Sequence, residues 1–76
     1  IVAGVTAYGL FVELENTVQG LVRLSTLDDD YYEFVPERLW LVGRRTKKVY
    51  RIGQPVTVCV TRVEPEARQI DMELVP

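Results

Sequence analysis

Histidine is absent from these 76 residues, and cysteine, methionine and tryptophan occur once each. Without histidine, neither a Ser-His nor a Cys-His nucleophilic pair can be built, and no histidine-containing metal site is available. The carboxylates that remain sit where the pattern reads as turns and solvent faces, so this chain alone is not expected to be an enzyme. One cysteine, Cys59 in "VTVCVT", excludes an intrachain disulfide and fits a reducing, cytoplasmic setting. It reads as a small strand side chain, because a reactive thiol needs a basic or histidine neighbour. No run of about 18 apolar residues offers a transmembrane helix. The opening "IVAGVT" lacks a basic n-region, so no signal peptide is read, and the expectation is a piece of a larger protein.

The residues that are present describe one small domain, 1–76. A chain of this length buries only about 60% of the surface it exposes when unfolded, and a single apolar core without disulfides supplies about 3–5 kcal/mol net. Formal net charge is −2 with an isoelectric point near 5.0, which argues against a nucleic-acid binder of the histone type. The distribution says more than the sum. Five of the nine basic residues, Arg44, Arg45, Lys47, Lys48 and Arg51, fall in one short segment, and Asp28, Asp29, Asp30 and Glu33 form an acidic counterpart.

Apolar residues recur at period two, punctuated by Gly and Pro, so strands dominate. Ile1 to Thr6 is a first strand, Gly9 marks a bend or bulge, and Leu10 to Leu14 is a second strand. "ENTVQG" turns the chain into a third strand, Leu21 to Ser25, with Val22 and Leu24 inward. Pro36 opens a single helical turn over "PERL". "LWLV" and "VYRI" flank "GRRTKK" as a small hairpin. Val56 to Val63 is the clearest strand, with Val56, Val58 and Val60 on one face. Pro65 ends it, and Ile70, Met72 and Leu74 alternate in a fifth main strand.

Five amphipathic strands with a long excursion between the third and fourth predict an all-β, five-stranded antiparallel Greek-key barrel of the oligonucleotide-binding (OB) type, with the small hairpin inserted. Periodicity leaves an SH3-like barrel as an alternative. On the second strand, Leu10, Val12 and Leu14 share the inward parity, which puts Phe11 on the wet face with Glu13. OB barrels bind single strands on the outer face of their second and third strands, and a ring there can stack on any base. The same parity turns Tyr8 inward, unless the bend at Gly9 breaks the alternation.

With these residues in place, "GVTAYGLFVEL", "QGLVRLSTL" and "IGQPVTVCVTRVEPEARQIDMEL" resemble the S1 RNA-binding domain, across nearly the whole chain. "LDDDYYEF" and "LVGRRTKKVYRIGQ" resemble the corresponding segment in the C-terminal domain of ribonuclease R-type 3′-to-5′ exoribonucleases. The resemblance implies a monomeric single-stranded RNA-binding module with little sequence preference, the accessory grip of an RNA-degrading hydrolase. That hydrolase's aspartates and Mg2+ would lie outside this chain, so the chain itself carries no cofactor. An RNA-binding or protein-interaction domain of a translation or transcription factor is the alternative.

The resemblance also implies roles for particular residues. It places an aromatic, here Tyr8, on the binding surface beside Phe11. Arg23 stands where the family usually has histidine; its guanidinium can stack or fork onto phosphate, or else pair with Glu13. Glu64 and Arg68 bracket the last turn where the family has Asp and Arg, to meet base or sugar and phosphate, or to pair with each other. Lys47, Lys48 and Arg51 extend a phosphate track or are simply solvated. Tyr31, Tyr32 and Trp40 read as packing, and "DDD" as a turn rather than a metal site.

Overall fold

The computed structural model describes residues 1–15 and 18–75, so Asn16 and Thr17 of the expected "ENTVQG" turn lie outside the described residues. Among the described residues eight strands run in order: β1 (Val2–Thr6), β2 (Gly9–Glu13), β3 (Gln19–Arg23), β4 (Tyr32–Val35), β5 (Trp40–Gly43), β6 (Val49–Arg51), β7 (Val58–Glu64) and β8 (Gln69–Leu74). A single 3-10 turn, Leu24–Thr26, follows β3. One sheet has the order β1-β2-β3-β8-β7 and a second has β4-β5-β6. The fold is all-β, and the five expected main strands are the five strands of the larger sheet.

Two features of that sheet correct the expected barrel. β3 and β8 pair in parallel, Leu21 with Asp71 and Val22 with Met72, so the sheet is not wholly antiparallel. Nor is it closed, because no ladder joins β7 to β1 among the described residues. The outer edge of β1 is already occupied: Val2 N–H donates to Gln54 O at 2.9 Å and Gly53 N–H donates to Val2 O at 2.8 Å. The segment ahead of β7 thus takes the hydrogen bonds that closure would need. β7 is left at an edge, where Val60 is 46% exposed.

The core fills the space between the sheets. Val2, Val5, Leu10, Val12, Val22 and Met72 come from the larger sheet, Leu41 from the smaller, and Leu27 from the connection. Val2 and Val5 have opposite parity, yet both are buried; a register shift between Val2 and Gly4 lets β1 turn both inward. Tyr32, Phe34 and Tyr50 pack from the second sheet, with the Tyr32 and Tyr50 rings 5.4 Å apart. Tyr31, expected to pack, is 76% exposed.

The third strand begins and ends two residues earlier than expected, since the backbone tightens into the 3-10 turn at Leu24, which is half-buried there. "PERL" is not helical. Arg38 N–H donates to Val35 O at 3.2 Å, so Pro36 sits second in a β-turn that joins β4 to β5. A proline fixed near φ −65° suits that position and the first turn of a helix equally.

The second sheet is tied down by Asp30, which is buried. Its carboxylate accepts from Tyr31 N–H at 2.7 Å, Arg45 N–H at 3.0 Å, and Thr46 N–H and Oγ1 at 2.8 Å each. Donation by the Thr46 amide, above all, holds the Asp30 carboxyl well below the usual carboxylate range. The middle aspartate of the run, Asp29, accepts from Tyr32 Oη and from Lys48 Nζ, each at 3.1 Å.

Two glycines are fixed by close approach. At Gly9, φ is 155° and a Cβ would run into the Val22 carbonyl oxygen; at Gly20 it would meet the Met72 methyl. Met72 has a flexible end that can move, whereas the Val22 carbonyl belongs to the β2–β3 pairing. Gly20→Ala is therefore expected to cost about 1–3 kcal/mol, and Gly9→Ala to exceed that range and leave much of the protein unfolded, as read from urea midpoints. Asp30 adds a pH dependence of definite sign. Its pKa is depressed on folding, so its contribution is complete above the unfolded value of about 3.9 and is lost as pH falls toward the folded one. Urea midpoints should decline below about pH 4, and Asp30→Asn should flatten that decline while speeding amide exchange at Arg45 and Thr46 at neutral pH.

Candidate nucleic-acid interface

Register brings a row of residues across the larger sheet: Gly4 faces Phe11, Phe11 faces Leu21, and Leu21 faces Asp71. Phe11 lies over Gly4, whose missing side chain leaves ordinary contact distance to the ring. The ring is half-buried rather than sealed. Tyr8, by contrast, is 59% exposed. The bend at Gly9 breaks the strand alternation and sends Tyr8 to the same side as Phe11. The two rings meet edge to face, 6.2 Å between centroids and 88° between planes.

The backbone beneath Tyr8 is pinned on both sides. Its N–H donates to Thr6 Oγ1 at 3.3 Å, and its carbonyl accepts from Leu24 N–H at 2.8 Å. Thr6 Oγ1 in turn donates to Gly9 O at 3.0 Å. The backbone that carries the ring is thus fixed before a planar ligand is taken up.

Tyr8 and Phe11 line one side of a cleft of about 460 Å³, with Gln19 and Leu21 on its floor and Arg68 and Gln69 opposite. Arg68 closes the β7–β8 turn, its N–H donating to Pro65 O at 3.2 Å, with φ at 52° in the left-handed region. That turn carries the guanidinium to the aromatic pair. Among the described residues no carboxylate lies within ion-pair distance of Arg68. Two rings and one uncommitted guanidinium around a cleft can stack bases and meet a phosphate.

The other expected residues fall elsewhere or are already engaged. Arg23 pairs with neither Glu13 nor solvent alone: its Nη2 lies 3.5 Å from Asp71 Oδ1, an oxygen that also accepts from Gln69 Nε2 at 3.1 Å. Arg23 thus borders the same face, half-neutralised. Glu64 pairs with Arg62, not with Arg68. Lys48 is bound to Asp29, which raises the lysine's pKa and lowers the carboxylate's. Lys47 and Arg51 are exposed on the second sheet and line no part of the cleft. Tyr32 belongs to the core, and burial, with hydrogen bonds to Tyr50 and Asp29, pushes its hydroxyl well above the phenol range.

Sequence reasoning did not foresee Gln19, Gln69 and Asp71 as residues of this surface. The signal for Gln69 and Asp71 was their outward parity beside Ile70 and Met72, but only the parallel β3–β8 pairing sets them next to Leu21.

The S1 RNA binding domain family matches residues 1–74. Ribonuclease R of Ureaplasma parvum serovar 3 is 47% identical over 75 residues, covering 99% of this chain and 10% of that protein. Ribonuclease R of Escherichia coli K12 is 38% identical over 76 residues, 99% of this chain and 9% of that protein. The structure of Mycoplasma genitalium RNase R in complex with ribose methylated single-stranded RNA superposes with a TM-score of 0.91 at 28% identity, over 97% of this chain and 12% of that one. The chain spans about a tenth of the length of the curated relatives it matches. It belongs to the S1 RNA-binding domain family and corresponds along its whole length to the S1 region of ribonuclease R.

Proposed function

We propose that this chain grips single-stranded RNA with little sequence preference, as the accessory domain of a cytoplasmic 3′-to-5′ exoribonuclease. The observation that carries the reading is the cleft in which Tyr8 and Phe11 converge with Arg68, which has no carboxylate partner among the described residues. Aromatic faces accept any base, so the contact is tolerant of sequence, and one guanidinium supplies phosphate attraction on a domain whose net charge is acidic. The likeness to ribonuclease R supports the assignment to a nuclease, and the single-stranded RNA in the Mycoplasma genitalium complex supports the ligand.

Hydrolysis and its Mg2+ belong, in this reading, to the rest of such a protein. The acids here do not fit a magnesium site: Asp30 is saturated by hairpin N–H and hydroxyl donors, and Asp29 is held by Lys48 and Tyr32. Arg23 puts a guanidinium in the family's usual histidine position, able to stack on a base or fork onto a phosphate.

Titration of oligouridine into the labelled chain should shift amides around Tyr8, Phe11 and Arg68; shifts confined to Asp28–Glu33 would sink the cleft. Phe11→Ala should weaken binding by about 5- to 150-fold, the loss of one stacked base at about 1–3 kcal/mol, with an unchanged circular dichroism spectrum. Arg68→Ala should reduce the slope of log K against log salt by about 0.7, one phosphate's worth on a single strand. Affinity should stay level between about pH 6 and 8, because no imidazole takes part.

A further inference from the structure

The second sheet carries chemistry that the cleft does not use. Its inward row, Phe34, Leu41 and Tyr50, packs on the core. One residue along, the register sets Val35, Trp40 and Arg51 side by side on the opposite, outer face. Arg38, from the β4–β5 turn, lies with its guanidinium carbon 5.0 Å from the Trp40 ring centroid. Beside Trp40 runs a shallow groove of about 710 Å³, bordered by Val49, Arg51, Ile52, Gln54 and Pro55.

Charge pairing separates this row from the hairpin tip. Arg44 pairs with Glu33, Arg45 with Asp30 and Lys48 with Asp29. Arg38, Lys47 and Arg51 have no carboxylate partner among the described residues. Two of these three cations, Arg38 and Arg51, flank the sheet's one indole, while Lys47 sits at the hairpin tip. An acidic peptide would satisfy the guanidiniums but leave the ring face unused. A single-stranded nucleic acid uses both, because its bases stack on indole or guanidinium planes while its phosphates meet the charge.

We infer that the Arg38, Trp40 and Arg51 row is a second contact for single-stranded RNA, with a base stacked on the Trp40–Arg38 pair and a neighbouring phosphate on Arg51. The inference rests on the reading of this chain as an RNA-binding module and extends it. The row shares no residue with the Tyr8, Phe11 and Arg68 cleft, so a strand that outruns the cleft is held at two places.

Trp40 is the only tryptophan, so intrinsic emission reads this row directly, while amide shifts near Phe11 read the cleft. Oligouridine of about 16 nucleotides, the upper end of OB-fold site sizes, should quench Trp40 emission saturably. The quench should persist in Phe11→Ala at higher RNA concentration. Arg51→Gln and Arg38→Gln, both exposed changes, should each move the quenching midpoint by about fivefold or more and leave the cleft shifts in place. Cleft amides that saturate while Trp40 emission stays constant would overturn the second contact alone; loss of both signals would overturn the cleft reading with it. Equal quenching by inorganic polyphosphate would show charge attraction without stacking and overturn the proposal. So would quenching by polyglutamate in place of RNA, which would give this face to a protein partner.

Discussion

The contact of Gly9 with the Val22 carbonyl is the constraint on which the binding face depends. β2 can approach β3 this closely only without a side chain at position 9, and the positive φ there resets the strand's alternation. Leu10 and Val12 are then committed to the core, Phe11 to the outer face, and Tyr8 is released from the inward parity it would otherwise hold. The edge-to-face aromatic pair follows from that one backbone bend. A second close approach, Gly20 over Met72, lets β8 lie flat beside β3 and brings the β7–β8 turn within reach of the rings.

Electrostatics on this domain is decided by pairing rather than by totals. Among the described residues, five of the nine basic side chains, Arg23, Arg44, Arg45, Lys48 and Arg62, sit within ion-pair distance of a carboxylate. Apart from the pair made by the buried Asp30, these are exposed pairs that contribute little to stability, but all of them remove charge from the field that a polyanion meets. The four remaining cations fall beside aromatic rings or on the hairpin, so an acidic protein keeps two local positive regions, one at Arg68 and one around Trp40. The densest basic run in the sequence, "GRRTKK", is largely spent on holding the hairpin to the acidic turn.

That spending has a structural purpose. Asp30 receives the hairpin's turn amides, and Asp29 receives Lys48 and the Tyr32 hydroxyl. The two aspartates thus tether β5 and β6 to the entrance of β4, and the Tyr32–Tyr50 contact presses the layer onto the core. The "DDD" run serves as a turn, as expected, and also supplies anchors, whose hairpin partners come from 15 or more residues away.

Period-two alternation by itself determined the five main strands, the core residues Leu10, Val12, Val22 and Met72, and the outward placement of Phe11, because a strand's facing is a local property of the backbone. The basic hairpin was legible for the same reason. β4 was hidden, since Pro36 suits a helix start as well as a turn, and the surrounding acids masked the alternation of Tyr32 and Phe34. Which cations remain free, which edge of β1 is covered, and whether Arg68 reaches the rings depend on partners distant in sequence. Those were decided only by the tertiary structure, through the parallel β3–β8 register and the Gln54 backbone that takes the place of barrel closure, because pairing between remote groups leaves no periodic trace in a chain.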